Sequence, residues 1–192
     1  NAPPATQTQL GFLPRDTMLQ VSYRQPMDVL YNDVLDDSAR GSLVGDFIVA
    51  MNGPGMTPYM PNQAEELVFA ALPRSYAPGA AMPLSGTDMP LPGFVIAFRT
   101  PDAEPQIARA LLEEYLQAQR GRGNNPGEEP KKGAVSVVQK DVPGMQVFGF
   151  DDPREEDNFI RRLNLSIRAA LIGEWLVLTN SESLLRAAVE AT

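Results

Sequence analysis

Residues 93–119 read Gly-Phe-Val-Ile-Ala-Phe-Arg-Thr-Pro-Asp-Ala-Glu-Pro-Gln-Ile-Ala-Arg-Ala-Leu-Leu-Glu-Glu-Tyr-Leu-Gln-Ala-Gln. This stretch decides the fold. Phe94 to Phe98 is a short apolar run rich in β-formers, the pattern of a well-buried strand. Thr100-Pro101-Asp102 stops it, because proline donates nothing to a ladder. Asp102 is expected to cap a helix, with Pro105 in its first turn. Ile107, Leu111 and Tyr115, with Ala108, Leu112 and Leu116, then recur at helical spacing and give that helix one apolar face.

Outward from this unit, Thr17 to Tyr23 reads as the first strand, entered by a turn at Leu13-Pro14-Arg15-Asp16. Met18 and Gln20 belong to one face, and Leu19, Val21 and Tyr23 to the other. Pro26 opens a helical region that carries Met27, Leu30, Tyr31, Val34 and Leu35. Ser38 caps a second segment, whose apolar face is Val44, Phe47, Ile48 and Met51. Residues 66–72 read as a strand, because Phe94 to Phe98 can return beside it. Val135 to Lys140 and Met145 to Phe150 flank a Val142-Pro143-Gly144 turn, and residues 120–133 form a surface excursion. Leu165 to Ile172 and Trp175 to Thr179 flank Gly173-Glu174, a two-residue hairpin turn of the II′ pattern. Asn180-Ser181 caps a last helix with Leu184, Leu185, Ala188 and Val189 facing inward.

The expected fold is α+β: a ferredoxin-like β-α-β-β-α-β core extended by a further hairpin and a C-terminal helix, with a largely antiparallel sheet and helices on one face. Residues 1–12 are polar and proline-containing, a linker or tether, and 13–192 form one domain, expected to be part of a longer protein. Residues 67–72 with 94–99, Thr100 and a helix echo residues 165–172 with 175–178, Thr179 and a helix, a weak internal repeat.

At 192 residues and 43% apolar, the chain can bury a core without staples. Its net charge of -8 argues against nucleic acid and anionic lipid, which need clustered Lys or Arg. Cysteine and histidine are absent, which removes thiol nucleophiles, disulfides, Cys/His zinc sites and imidazole-based triads. No apolar run is long enough to span a membrane.

The start Leu13-Pro14-x-Asp16-Thr17, leading to a strand that ends in Tyr23, resembles a family of bacterial extracytoplasmic proteins classed as a domain of unknown function. So does the closing Trp175-Leu-Val-Leu-Thr-Asn-Ser-Glu-Ser-Leu-Leu-Arg-Ala-Ala-Val-Glu. The resemblance implies a periplasmic, secreted or membrane-tethered location, with a tether upstream. It carries over no catalytic residue.

Candidate chemistry is sparse. Asp151, Asp152, Glu155, Glu156 and Asp157 cluster, but without the spacing of a calcium loop they read as a solvated turn. The pairs Glu113-Glu114, Glu65-Glu66 and Asp36-Asp37 are adjacent in sequence, so on a helix they diverge and do not form an acid-base pair. Methionines in the two long loops, with neither His nor Cys beside them, read as adaptable contact groups and not as copper ligands. The expected interaction surface is therefore Met56, Tyr59, Met60, Tyr76, Met82 and Met89, in proline-rich loops. No cofactor or metal is assigned. The leading expectation is a non-catalytic interaction or scaffold module with a protein partner. The alternative is a small-molecule or lipid binding domain, and a carboxylate-dependent hydrolase ranks third.

Overall fold

The computed structural model describes residues 10–24, 47, 50, 66–73, 93–123, 135–151 and 167–190. They form a seven-stranded antiparallel sheet and two helices. The elements are β1 (Leu19–Tyr23), β2 (Leu67–Ala71), β3 (Phe94–Arg99), α1 (Gln106–Gly123), β4 (Ser136–Lys140), β5 (Val147–Asp151), β6 (Arg168–Ile172), β7 (Trp175–Thr179) and α2 (Glu182–Glu190). The sheet order is β1-β2-β3-β7-β6-β5-β4, and every neighbouring pair is antiparallel.

The order follows from one long connection. β1 to β3 make a meander, and β3 then runs in the same sense as β4 at the far edge. Three strands lie between those two. Four strand spacings amount to about 19 Å. The 18 residues of α1 span about 27 Å at helical rise, enough to carry the chain across. α1 packs on β4, β5, β6 and β7, and the chain returns by hairpins until β7 meets β3.

β3 and β7 are central and covered on both faces. On one face Phe94, Ile96, Phe98, Leu176 and Leu178 pack with Ile107, Leu111 and Leu112 of α1. On the other, Val95, Ala97 and Val177 pack with Leu184, Leu185 and Ala188 of α2. Phe47 and Ala50, both helical, are buried on the α1 face. The Phe47 ring stacks on Tyr115 at 4.4 Å.

Four expectations need correction. The two helices lie on opposite faces, because successive residues of β3 and β7 are both apolar and each face demands its own cover. The ferredoxin-like order is not the one adopted. A split β-α-β separates two parallel strands by a third, whereas β1 pairs directly and antiparallel with β2. A helical connection is required between parallel strands but does not exclude an antiparallel return. Asp102 is not a helix cap. It sits at φ 62° in a turn closed by Ala103 N–H to Thr100 O at 3.3 Å, with Pro101 leading, the arrangement of a type II turn. α1 starts later and runs to Gly123, beyond the expected end at Gln119.

The Gly173 turn is as expected. Gly173 has φ 58° and Glu174 is not in the left-handed region, which fits type II′ and excludes type I′. The turn after β4 repeats the Thr100 design with glycine in place of Asp102. Met145 N–H reaches Val142 O at 3.3 Å, and Gly144 has φ 80°. A Cβ on Gly144 would also lie 3.0 Å from Val189 Cγ1 of α2.

Substituting Gly144→Ala therefore meets both backbone strain and a packed side chain, and is expected to cost about 1–3 kcal/mol. Asp102→Gly relieves strain but adds unfolded-state freedom, and should leave stability within about 1 kcal/mol. Urea unfolding of the two variants checks the contrast.

Candidate functional site

The expected surface of Met56, Tyr59, Met60, Tyr76, Met82 and Met89 lies outside the described residues, as do most of the acidic turn and the 26–46 helical region. Among the described residues the exposed apolar side chains gather at β1. Met18 is 70% exposed, Leu19 51% and Val21 53%. The sequence placed Leu19, Val21 and Tyr23 on one face, and their register opposite Ala71, Phe69 and Leu67 agrees. It missed that only Tyr23 packs on the core. The available signal was the poverty of β1 itself: Gln20 and Ser22 leave it no second apolar face.

The approach to β1 is closed by hydrogen bonds. Leu13 N–H donates to Leu10 O at 2.9 Å, and Thr17 N–H to Pro14 O at 3.1 Å. The Thr17 hydroxyl donates to the same Pro14 oxygen at 2.6 Å. This double closure gives the Leu-Pro-x-Asp-Thr pattern a mechanical meaning. It fixes a turn with Arg15 and Asp16 at its apex, both exposed. Met18 N–H then donates to Ala71 O at 3.0 Å and joins the sheet. Beside this segment lies an open groove of about 770 Å³, lined by Leu10, Leu13, Arg15, Thr17, Met18 and Leu19 among others. The volume suits a ligand or a short peptide segment.

The remaining charged groups brace the frame. Arg99 Nη2 meets Glu174 at 3.1 Å, and Arg109 Nε meets Glu113 at 2.7 Å within α1. Arg24 Nε lies 3.1 Å from Glu66 Oε1, close enough for an ion pair, although the angle misses that of a hydrogen bond. Glu66 is the one buried acid among the described residues. No group of three acidic residues there could hold a metal ion. No helix of the described residues is long and apolar enough to cross a membrane.

At the start of α2, Glu182 receives Arg168 Nη2 at 2.8 Å and Arg186 Nη2 at 2.6 Å. The hydrogen bond from Arg186, helped by the charges of Arg168 and Arg186, holds this carboxyl below its ordinary value of 4.5 against the opposing effect of partial burial. Because the folded value is the lower one, the stabilisation is complete above pH 4.5 and fades as pH falls through the folded value. The carboxylate is partly exposed, so the gain is about 0.2–1 kcal/mol. Glu182→Gln should lower stability by that amount at pH 7 and flatten its decline in acid, as read from urea midpoints across pH.

No family model, curated protein or solved structure matches this chain.

Proposed function

We propose that the domain is a non-catalytic interaction module and that β1, with the groove beside it, is its contact surface. The observation that carries the reading is that Leu19 and Val21 on one face of β1, and Met18 just before it on the other, are each at least half exposed at one edge of the sheet. Exposed apolar side chains along a sheet edge are a form in which partner surfaces present themselves. Placement outside the cytoplasm is part of the proposal and rests on the resemblance of residues 13–17 and 175–190.

A photo-crosslinking side chain at Met18 should give a discrete adduct in cells that express the protein. The same group at Glu113, on the exposed face of α1, should not. Leu19→Asp should abolish the Met18 adduct while changing stability by less than about 0.5 kcal/mol, since the site is exposed. Indistinguishable adducts at the two positions would overturn the proposal.

The second reading, a small-ligand domain, is favoured by the groove volume alone. A ligand bound there would raise the melting temperature by mass action, and Leu13→Arg, placed on the groove wall, would erase the shift.

A further inference from the structure

The proposed contact surface has a charge pattern that narrows its partner, an inference that rests on the proposed function. Five described arginines, Arg24, Arg99, Arg109, Arg168 and Arg186, each face a carboxylate of this chain. Among the described residues Lys140 has no such pairing, but its stem lies along Gly149, with Cγ and Cε at 3.2 and 3.0 Å from where a Cβ would stand. That lysine serves as packing.

Arg15 has neither arrangement. Among the described residues no carboxylate pairs with it, its neighbour Asp16 included. Yet the doubly closed Pro14–Thr17 turn holds it at the groove wall, next to the exposed Met18 and Leu19. In a chain of net charge -8, carboxylates are plentiful, and an exposed arginine at the groove wall with no carboxylate among the described residues complements one on a partner.

We infer that the groove takes an extended segment of a partner protein, bearing aliphatic side chains and a single carboxylate beside them. Arg15 receives the carboxylate, and Met18 and Leu19, which line the groove with it, cover the aliphatic groups. The described wall of the groove is the single segment 10–20, where Arg15, Thr17 and Gln20 interrupt the apolar side chains, a lining that fits a peptide better than a lipid chain. A single carboxylate is specified because the excess of acid elsewhere on this chain repels an acidic run. The segment that spans β1 is short: five residues extend about 17 Å.

The test uses the full chain and three labelled peptides of about ten residues, long enough to overrun the strand. Each alternates valine and threonine, with a central aspartate, asparagine or lysine. Fluorescence anisotropy should show the aspartate peptide binding about two- to five-fold more tightly than the asparagine peptide, the range of a surface ion pair. The lysine peptide should bind most weakly. The preference should vanish in Arg15→Gln and at about 0.5 M salt, where charges beyond a few ångströms are screened. Equal binding of the aspartate and asparagine peptides, or a preference that survives Arg15→Gln, overturns the inference. If all three bind equally and Met18→Asp abolishes binding, the contact surface stands and only its acid selectivity falls. If none binds, the inference falls, and the Met18 crosslink decides separately whether β1 contacts anything.

Discussion

Two side chains complete the centre of the sheet where the backbone leaves it. The β3–β7 register runs from Arg99↔Trp175 to Val95↔Thr179, so the next rung would join Phe94 to residue 180. That rung is made, but not by backbone. Phe94 N–H donates to Asn180 Oδ1 at 2.8 Å, and the Thr179 hydroxyl donates to Phe94 O at 2.6 Å. Thr179, Asn180 and Ser181 are fully buried, so every one of their polar groups must be matched. Thr179 Oγ1 also accepts from Ser181 N–H at 3.0 Å, and Ser181 Oγ accepts from Leu184 N–H at 3.2 Å. The last bond is a helix cap. Three consecutive side chains thus end β7, close β3 and start α2, and the backbone is released from the ladder without leaving Phe94 unsatisfied.

The rest of the topology depends on that exit. Because β7 is finished by side chains, the chain can turn out of the sheet plane at once, onto the face opposite α1. This also bears on the internal repeat. The two β-β-α units run outward from the centre in opposite directions, their last strands are antiparallel, and their helices take opposite faces. Reversal of all three axes is an inversion, which no rotation of a chiral chain can produce. The units are therefore of opposite hand, and the likeness between residues 67–116 and 165–189 reflects shared local grammar: a hairpin, a threonine and a helix.

Sequence made the local elements legible. The alternation and turn residues located β2, β3, β6 and β7, the Gly173 turn and the Ser181 cap, because each depends on the conformational preference of a few adjacent residues. It did not make legible which face a helix takes. The deciding fact was that Phe94 to Phe98 and Leu176 to Leu178 are apolar at successive positions, a pattern that demands cover on two faces and is silent on which helix supplies which. Asp102 misled for a related reason. Aspartate favours both the N-cap and the left-handed turn position, and only Pro101 before it, with the Thr100–Ala103 closure, separates the two. For the site, the turn before β1 was legible. The exposure of Leu19 and Val21 was not, because alternation gives the parity of a strand and not its position in the sheet.

Position in the sheet is what makes β1 different. Burial here decreases from the β3–β7 centre outward. α1 leaves β3 and spends its length on the β4–β7 half, because its path to β4 leads that way. The same path that closes the second meander withdraws α1 from β1. Leu19 and Val21 keep the sequence of a half-buried strand but lie where the helix does not reach. Natural edge strands are commonly blunted with lysine, proline or a short span, and residues 17–23 carry no charge and no proline. An edge face left both apolar and unprotected costs solubility, a cost that the net charge of -8 offsets at the level of the whole chain. On the proposed reading, the charge of the chain and the bareness of β1 act together: long-range repulsion keeps unselected chains apart, and the exposed apolar side chains of β1 beside Arg15 stay open to a selected one.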